Sequence, residues 1–202
     1  MAHQKILQAG QSYTFRSYFE MPYETDDILA EFGYGFQATR LNLPHNPQVF
    51  PHLASLKQDL EETLELTRLS SETARREVLV SPVLLAVARW LRCQVRVEYP
   101  VQVSDFLKGS LDYLLLADRQ LLVVEAKRDD LVRGFNQLAI EMIALSEDRD
   151  LDVVYGAITI GDVWRFGRLD RPQHAIIQDI TLYKIPDELD ILVAILSGIL
   201  QG

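Results

Sequence analysis

Residues 109–127 read GSLDYLLLADRQLLVVEAK and decide the fold of this chain. Two runs of strand-forming residues flank the short ADRQ segment, and this pattern predicts an antiparallel β-hairpin. Because side chains alternate between the two faces of a strand, Glu125 and Lys127 are expected on one face. The hairpin register can then bring Asp112 of the partner strand close to Glu125.

The segments around this hairpin alternate between helical and strand patterns. Helices are predicted over residues 53–69, from Ser70 or Ser71 to Arg92 with a kink at Pro82, from Asp129 or Asp130 to Leu145, and over 187–200. Strands are predicted over residues 95–103, 153–160, 163–169 and 175–185. Residues 11–36 mix aromatic residues with turn formers without a sustained period, so short strands and loops are expected there.

This order predicts an α/β protein with a central mixed sheet flanked by helices, arranged α-β-β-β-α-β-β. We assign that core to residues 71–202. Residues 1–70 are interpreted as an N-terminal α+β extension of short strands plus one helix, packed on the core. A length of 202 residues with 48% hydrophobic content is enough for one substantial domain with such an elaboration.

Composition narrows the possible partners and compartments. The formal net charge of −9 should repel polyanions, so any contact with nucleic acid must be local. The single cysteine, Cys93, excludes an internal disulfide, and no Cys/His cluster suggests structural zinc. No apolar run is long enough to span a bilayer, and the first residues lack a signal-peptide pattern. We therefore expect a soluble, cytoplasmic protein without a membrane partner.

Asp112, Glu125 and Lys127 form the constellation that can carry chemistry. Two carboxylates are what a hard cation such as Mg²⁺ requires from a protein, with water and substrate phosphate completing the octahedron. Such a cation lowers the pKa of bound water and offsets charge on a phosphate, as phosphodiester hydrolysis requires. Lys127 could orient the water, deprotonate it or pair with the phosphate, and the sequence leaves these roles open.

A structural interpretation competes with this one. Glu-x-Lys on a strand is common as an exposed cross-strand ion pair. Against it, Asp112 lies between Leu111 and Tyr113, and an acid between apolar strand residues is costly unless a metal or cation partners it. The functional interpretation is therefore favoured.

Three motifs surround and include the hairpin. They are Glu72-Thr73-Ala74-Arg75-Arg76-Glu77 followed by Pro82 and Leu84, then Gly109-Ser110-Leu111-Asp112-Tyr113 with Glu125-Ala126-Lys127, and finally Gln137 in the next helix. In this order they resemble the PD-(D/E)XK nuclease superfamily, and particularly the N-terminal nuclease domain of type I restriction motor subunits. The resemblance covers residues 71–169. Leu111 stands where the superfamily often has proline.

The resemblance implies a restriction endonuclease-like core and a role for each matching residue. Asp112 and Glu125 would bind Mg²⁺ or Mn²⁺, and Lys127 would be the lysine of the site. Glu77 in the first helix would assist the metal or the water. Gln137 would lie near the site on the following helix.

Further residues have alternative interpretations. Lys108, Arg128 and Arg133 could attract substrate phosphate, or they could be solubilising charges. Gln137 and Glu141 could form a polar stripe with Arg133 beside the site, or a solvated helix face. Glu77 could instead pair with Arg75 or Arg76 at the surface. Trp164 and Phe166 could stack on bases, although a place in the core is favoured.

Three functions remain open from the sequence. The leading one is a Mg²⁺-dependent endonuclease that hydrolyses DNA phosphodiesters, with RNA as another possible substrate. A second is a nuclease-like fold that serves as a binding or assembly module with little or no activity. A third is a purely structural Asp/Glu/Lys network without metal affinity. No base-reading element is recognised, so target choice would require a homodimer, a larger complex or structure-specific recognition.

Overall fold

The computed structural model describes residues 5–8, 10–117, 120–127 and 129–202, with the backbone alone over 120–126. Its strands are β1 (Gly35–Thr39), β2 (Gln94–Gln102), β3 (Lys108–Ala117), β4 (Gln120–Ala126), β5 (Val153–Thr159), β6 (Val163–Asp170), β7 (Ala175–Asp179) and β8 (Tyr183–Lys184). Its helices are α1 (Phe15–Glu20), α2 (Thr25–Ala30), α3 (Leu53–Leu66), α4 (Glu72–Arg75), α5 (Ser81–Leu91), α6 (Leu131–Arg149) and α7 (Leu189–Gln201). A π-helical turn, Arg76–Val80, joins α4 to α5.

The strands form one mixed sheet in the order β1-β7-β6-β5-β4-β3-β2, with β8 paired to β6. The pairs β1/β7 and β4/β5 are parallel and the others are antiparallel. Helix α6 connects the parallel strands β4 and β5, as a parallel pair requires a crossover. The predicted mixed α/β architecture and the β3–β4 hairpin are thereby confirmed.

The sheet separates two hydrophobic cores because successive strand residues face opposite sides. One core lies between the sheet and helices α3, α5 and α7, and its strand residues include Tyr113, Leu115, Ala157, Trp164 and Phe166. The other lies between the sheet and helices α1, α2 and α6, and its strand residues include Leu114, Val154, Ile158, Leu169 and Ile176. Trp164 and Phe166 are fully buried, so the predicted core placement of both aromatic residues is confirmed.

Side-chain caps fix where two of the helices begin. The carboxylate of Asp130 accepts hydrogen bonds from the backbone N–H groups of Val132 and Arg133, at the start of α6. The hydroxyl of Ser71 accepts from the N–H of Ala74 at the start of α4. Both residues were among the predicted caps. Within the described part of the chain, no helix is long and apolar enough to cross a membrane.

The prediction of short strands and loops over residues 11–36 was wrong where α1 and α2 form. Phe15 and Tyr18 lie three residues apart, and this spacing lets both be buried against α6 from one face of α1. The Ser17 hydroxyl accepts the N–H of Thr14 and supports the first turn. Strand β1 extends the sheet beside β7, so residues 35–39 share the core's sheet. The boundary at residues 70 and 71 stays a prediction.

The single strand predicted over residues 175–185 is two strands, β7 and β8, which pair in turn with β6. Asp179 causes the interruption. Its buried carboxylate accepts hydrogen bonds from the N–H groups of Leu41 and Thr181 and from the Tyr183 hydroxyl. The chain turns to satisfy this carboxylate, because leaving it buried without donors would be costly.

Candidate functional site

Asp112 lies in the middle of β3, and only 17% of its side chain is exposed. It forms an ion pair with Arg76, whose Nη1 lies 3.3 Å from Asp112 Oδ1. The same guanidinium lies over the Tyr113 ring, 5.4 Å from its centre. Arg76 comes from the π-helical turn, so the first helical segment and the hairpin meet at Asp112.

Arg76 also contacts Glu98 on strand β2, with Nη2 3.7 Å from Glu98 Oε1. Burial acts to lower the pKa of Arg76, but Asp112, Tyr113 and Glu98 raise it above its ordinary value. Burial also raises the pKa of the Tyr113 hydroxyl, against the opposing effect of Arg76. The guanidinium is therefore charged, and the site around Asp112 stabilises a cation.

The alternation of side chains between the two faces of the sheet is interrupted at Glu98 on β2 and at Asp112 on β3. Backbone pairs lie on either side, at Val97↔Tyr113 and Tyr99↔Leu111, while these two described residues between them form no backbone pair. Glu98 has φ of 51°, which is uncommon for a residue other than glycine. Leu111 belongs to the core under α6, whereas Tyr113, two residues on, belongs to the opposite core. The regular alternation is therefore broken at the predicted metal ligand.

Glu125 is placed by the backbone of β4 alone, since its side chain lies outside the described atoms. The β3–β4 register runs from Ala117↔Gln120 to Tyr113↔Val124. Asp112 and Glu125 are the residues that follow this last pair on their two strands. Glu125 is also the partner of Ile158 in the parallel strand β5. The backbone thus brings the two predicted carboxylate positions to the same end of the β3–β4 pairing.

Lys127 follows β4 directly and keeps its backbone next to β5, donating its N–H to the Thr159 carbonyl oxygen at 2.8 Å. Its Nζ lies 5.3 Å from the centre of the Phe19 ring on α1. Gly134 on α6 leaves room for the lysine stem, because an added Cβ there would lie 3.1 Å from Lys127 Cγ. An aromatic ring and a helix thus confine the predicted site lysine.

Gln137 and Glu141 are both buried on α6, at 4% and 0% exposure. The Gln137 amide Nε2 donates to Glu141 Oε1 at 2.8 Å. The alternative of a solvated helix face was therefore wrong for both residues. On a helix, Glu141 lies close in angle to Gly134, the residue that packs against Lys127. The polar stripe faces inward, while Arg133 is exposed and lies near Asp130.

Glu77 follows Arg76 in the π-helical turn and is exposed. It lines a groove of about 900 Å³ between α3 and α5, together with Phe50 and Trp90. Its negative charge contributes to the raised pKa of Tyr113, so it lies within electrostatic range of that hydroxyl. The alternative of a surface pair is not seen, because Arg75 pairs with Asp162 and Arg76 with Asp112 and Glu98. A role for Glu77 at a metal stays a prediction.

The residues predicted to attract phosphate have local acidic neighbours. Lys108 Nζ lies 3.0 Å from Asp105 Oδ1. Arg133 Nε lies 3.6 Å from Asp130 Oδ2, the carboxylate that caps α6. Arg128 lies outside the described residues. The charge that Lys108 and Arg133 offer a substrate is therefore partly offset.

Sequence reasoning missed three residues that the structure brings to the site, which are Phe19, Arg76 and Glu98. A signal for Arg76 was available, because it lies next to Glu77 in the motif of the first helix. Phe19 and Glu98 carry no local signal, since their positions depend on α1 packing and on an unusual backbone angle in β2.

The donor types at this place suit a hard cation such as Mg²⁺ or Mn²⁺. Asp112 offers carboxylate oxygens and already accommodates a positive group, and Glu125 lies on the neighbouring strand just beyond the last β3–β4 pair. Among the side chains that the structure describes, which exclude that of Glu125, no group of three or more His, Cys, Asp or Glu residues could hold a metal ion.

Comparison with protein-family models, with curated proteins and with solved structures finds no match for this chain.

Proposed function

We propose that this chain is a Mg²⁺- or Mn²⁺-dependent endonuclease that hydrolyses DNA phosphodiesters, built on a restriction endonuclease-like core. The observation that supports the proposal is the β3–β4 hairpin, whose pairing ends at Tyr113↔Val124, next to Asp112 and Glu125, with Lys127 two residues after Glu125. This arrangement agrees with the motif resemblance of the sequence.

Each residue of the site has a role that its surroundings support. Asp112 and Glu125 would hold the cation, which supplies a lowered pKa for water and compensation for charge on the phosphate. Lys127 would direct its ammonium group toward the attacking water or the phosphate, and Phe19 and Gly134 limit how far it can move. In the reaction, the water oxygen bonds to phosphorus and loses a proton, while the bond from phosphorus to the leaving oxygen breaks and that oxygen gains a proton.

Helix α6 would support the site from behind. Its buried Gln137–Glu141 pair fixes both side chains through a hydrogen bond of 2.8 Å. Such partners commonly orient the groups that contact a metal or substrate. Glu77 would approach the site from the π-helical turn as an assisting acid.

DNA is proposed as the substrate, and target choice would depend on a homodimer or a larger complex. The net charge of −9 and the acidic neighbours of Lys108 and Arg133 argue against tight binding by the isolated chain. A local contribution from Arg128 would also be required.

The second candidate function is a binding or assembly module that uses the same fold without cleavage. It is favoured by the contact of Arg76 with Asp112, since this ion pair satisfies the carboxylate in the absence of a metal. In that case metal affinity would be weak and the acidic surface would contact a basic partner.

A cleavage assay separates the two functions. Plasmid, single-stranded and branched DNA and RNA are incubated with Mg²⁺ or Mn²⁺ and the full chain. Wild type should cleave at least one of them, while Asp112→Asn, Glu125→Ala and Lys127→Ala should each fall below about one hundredth of its rate. The matched control is Asp105→Asn, an exposed acid near the same strand that should remain active.

Equal activity in all variants would contradict the proposed site. Absence of cleavage of every substrate, together with weak metal binding, would instead support the assembly module.

A further inference from the structure

We infer that Arg76 is a positioning residue that competes with the divalent cation for Asp112, and that Glu98 is the second anchor that holds Arg76 when the cation binds. This inference rests on the proposed function. It assigns Arg76 and Glu98 the control of metal affinity.

The contact between Arg76 and Asp112 has the geometry of a displaceable pair. Its nitrogen–oxygen distance is 3.3 Å, longer than the 2.7–2.9 Å of a charge-assisted hydrogen bond. Arg76 Nε is buried and has no hydrogen-bond partner among the described residues. The guanidinium is therefore held by charge at Asp112 without the paired, fork-like hydrogen bonds that arginine can form with a carboxylate.

Glu98 provides the place to which Arg76 can shift. Its Oε1 is 3.7 Å from the other terminal nitrogen of Arg76, and 70% of its side chain is exposed. Its left-handed backbone angle occurs in the row where β2 and β3 change faces, beside Asp112. Strained backbone of this kind persists where the surrounding structure requires it, and it is frequent at functional sites.

The π-helical turn explains why Arg76 reaches this row. A wider turn changes which residues face the sheet after α4, and Arg76 is the first residue of that turn. The guanidinium lies over the Tyr113 ring, which supports it by a cation–π contact while its terminal nitrogens contact the two carboxylates. Only a side-chain movement is required for the exchange, and the backbone stays in place.

The affinity for the cation is then set by Asp112 and Glu98, the two carboxylates that attract Arg76. A cation that binds Asp112 must displace the positive charge of Arg76, which lowers its affinity. Glu98 reduces this cost by attracting the displaced guanidinium. Removing Arg76 should therefore tighten metal binding, and removing the charge of Glu98 should weaken it only while Arg76 is present.

The test is a calorimetric titration of the full chain with Mn²⁺ alone, without nucleic acid. Arg76→Gln should bind Mn²⁺ about tenfold more tightly than wild type, the effect that one adjacent charge has on a carboxylate. Glu98→Gln should bind about threefold more weakly. In the double variant, the affinity should equal that of Arg76→Gln within about twofold, because Glu98 acts through Arg76.

Two further variants guard against misfolding and indirect effects. Arg76→Lys keeps the positive charge but has one nitrogen in place of the two that approach Asp112 and Glu98. Its Mn²⁺ affinity should therefore lie between those of wild type and Arg76→Gln. Asp112→Asn should abolish the binding, and thermal unfolding by circular dichroism should show a folded protein in each case.

Several results would overturn the inference. One is an Arg76→Gln variant that binds Mn²⁺ no more tightly than wild type. Another is a Glu98→Gln substitution that lowers Mn²⁺ affinity equally with and without Arg76. In that case the negative charge of Glu98 would act on the cation directly and not through Arg76. If wild type binds Mn²⁺ and cleaves, these results leave the proposed function intact. If no folded variant binds Mn²⁺, both proposals fail.

Discussion

Helices α6 and α7 cover opposite cores of the same sheet, and they differ in what they bury. Within α7 the buried polar side chain is Ser197, whose hydroxyl donates to the Val193 carbonyl of its own helix at 2.7 Å. Helix α6 buries several polar side chains along its length, namely Asn136, Gln137, Glu141 and Ser146. The two helices therefore differ in the number of polar side chains that they bury against the sheet.

This difference separates a structural helix from one that supports a site. Covering a core requires only apolar residues, and burying a carboxylate such as Glu141 carries a desolvation cost. The polar residues of α6 occur on the helix that packs against Lys127 through Gly134. We interpret α6 as the support of the candidate site and α7 as a structural cover. Paired substitutions in the two helices can test this interpretation.

The largest expected effect on stability comes from removing matched buried leucines. Leu196 on α7 and Leu138 on α6 are both fully buried. Each Leu→Ala substitution should lower the free energy of unfolding by about 2–5 kcal/mol, because a cavity is left in a packed core. Urea unfolding measures this loss. Per folded molecule, cleavage should be unchanged in Leu196→Ala and reduced in Leu138→Ala, and the opposite order would contradict the division of roles.

A smaller effect is expected from glycines at close helix contacts. A Cβ at Gly198 on α7 would lie 2.6 Å from backbone atoms of Pro44, which cannot move easily. Gly198→Ala should therefore cost about 1–3 kcal/mol of stability, with no change in cleavage by the folded protein.

The corresponding glycine on α6, Gly134, should show a small effect on stability and a larger effect on the cleavage rate. A Cβ at Gly134 would lie 2.7 Å from Ile158 Cδ1 and 3.1 Å from Lys127 Cγ, both in flexible side chains. These can shift, and alanine favours a helix, so the stability of Gly134→Ala should change by less than about 1 kcal/mol. Displacement of Lys127 should lower the cleavage rate about tenfold. Full activity in Gly134→Ala would show that the lysine stem is not constrained at α6.

The smallest expected effects come from substitutions of one buried polar residue in each of the two helices. Ser197→Ala should cost about 1 kcal/mol, the loss of one hydrogen bond, and leave the cleavage rate unchanged. Glu141→Gln keeps an oxygen that can accept the Gln137 amide hydrogen but removes the negative charge. Its stability should also change little, while the rate should fall about tenfold if that charge orients groups at the site. An unchanged rate would assign Glu141 to packing and hydrogen bonding alone.

Much of the fold could be predicted because its signals are local. The β3–β4 hairpin follows from two apolar runs separated by a short segment rich in turn-forming residues. The start of α6 follows from Asp130, whose side chain caps the helix within its own segment. The proximity of the Asp112 and Glu125 positions was accessible for the same reason, since both residues lie next to the last pair of the hairpin.

The prediction of strands and loops at the N-terminus was wrong because the helices that form there depend on contacts with distant segments. Helices α1 and α2 have six residues each, too short to be stable alone, and they form against α6. Because the local pattern lacks a sustained period, the sequence gives no sign of this packing. The position of Phe19 beside Lys127 follows from it.

By itself, the sequence determined the hairpin, the caps, the alternating core residues and the candidate set Asp112, Glu125 and Lys127. Tertiary structure decided that Arg76 contacts both Asp112 and Glu98, and that Gln137 and Glu141 are buried. The physical reason is separation along the chain. Periodicity and capping act over a few residues, whereas charge pairing and burial depend on segments that become neighbours only when the whole sheet has assembled.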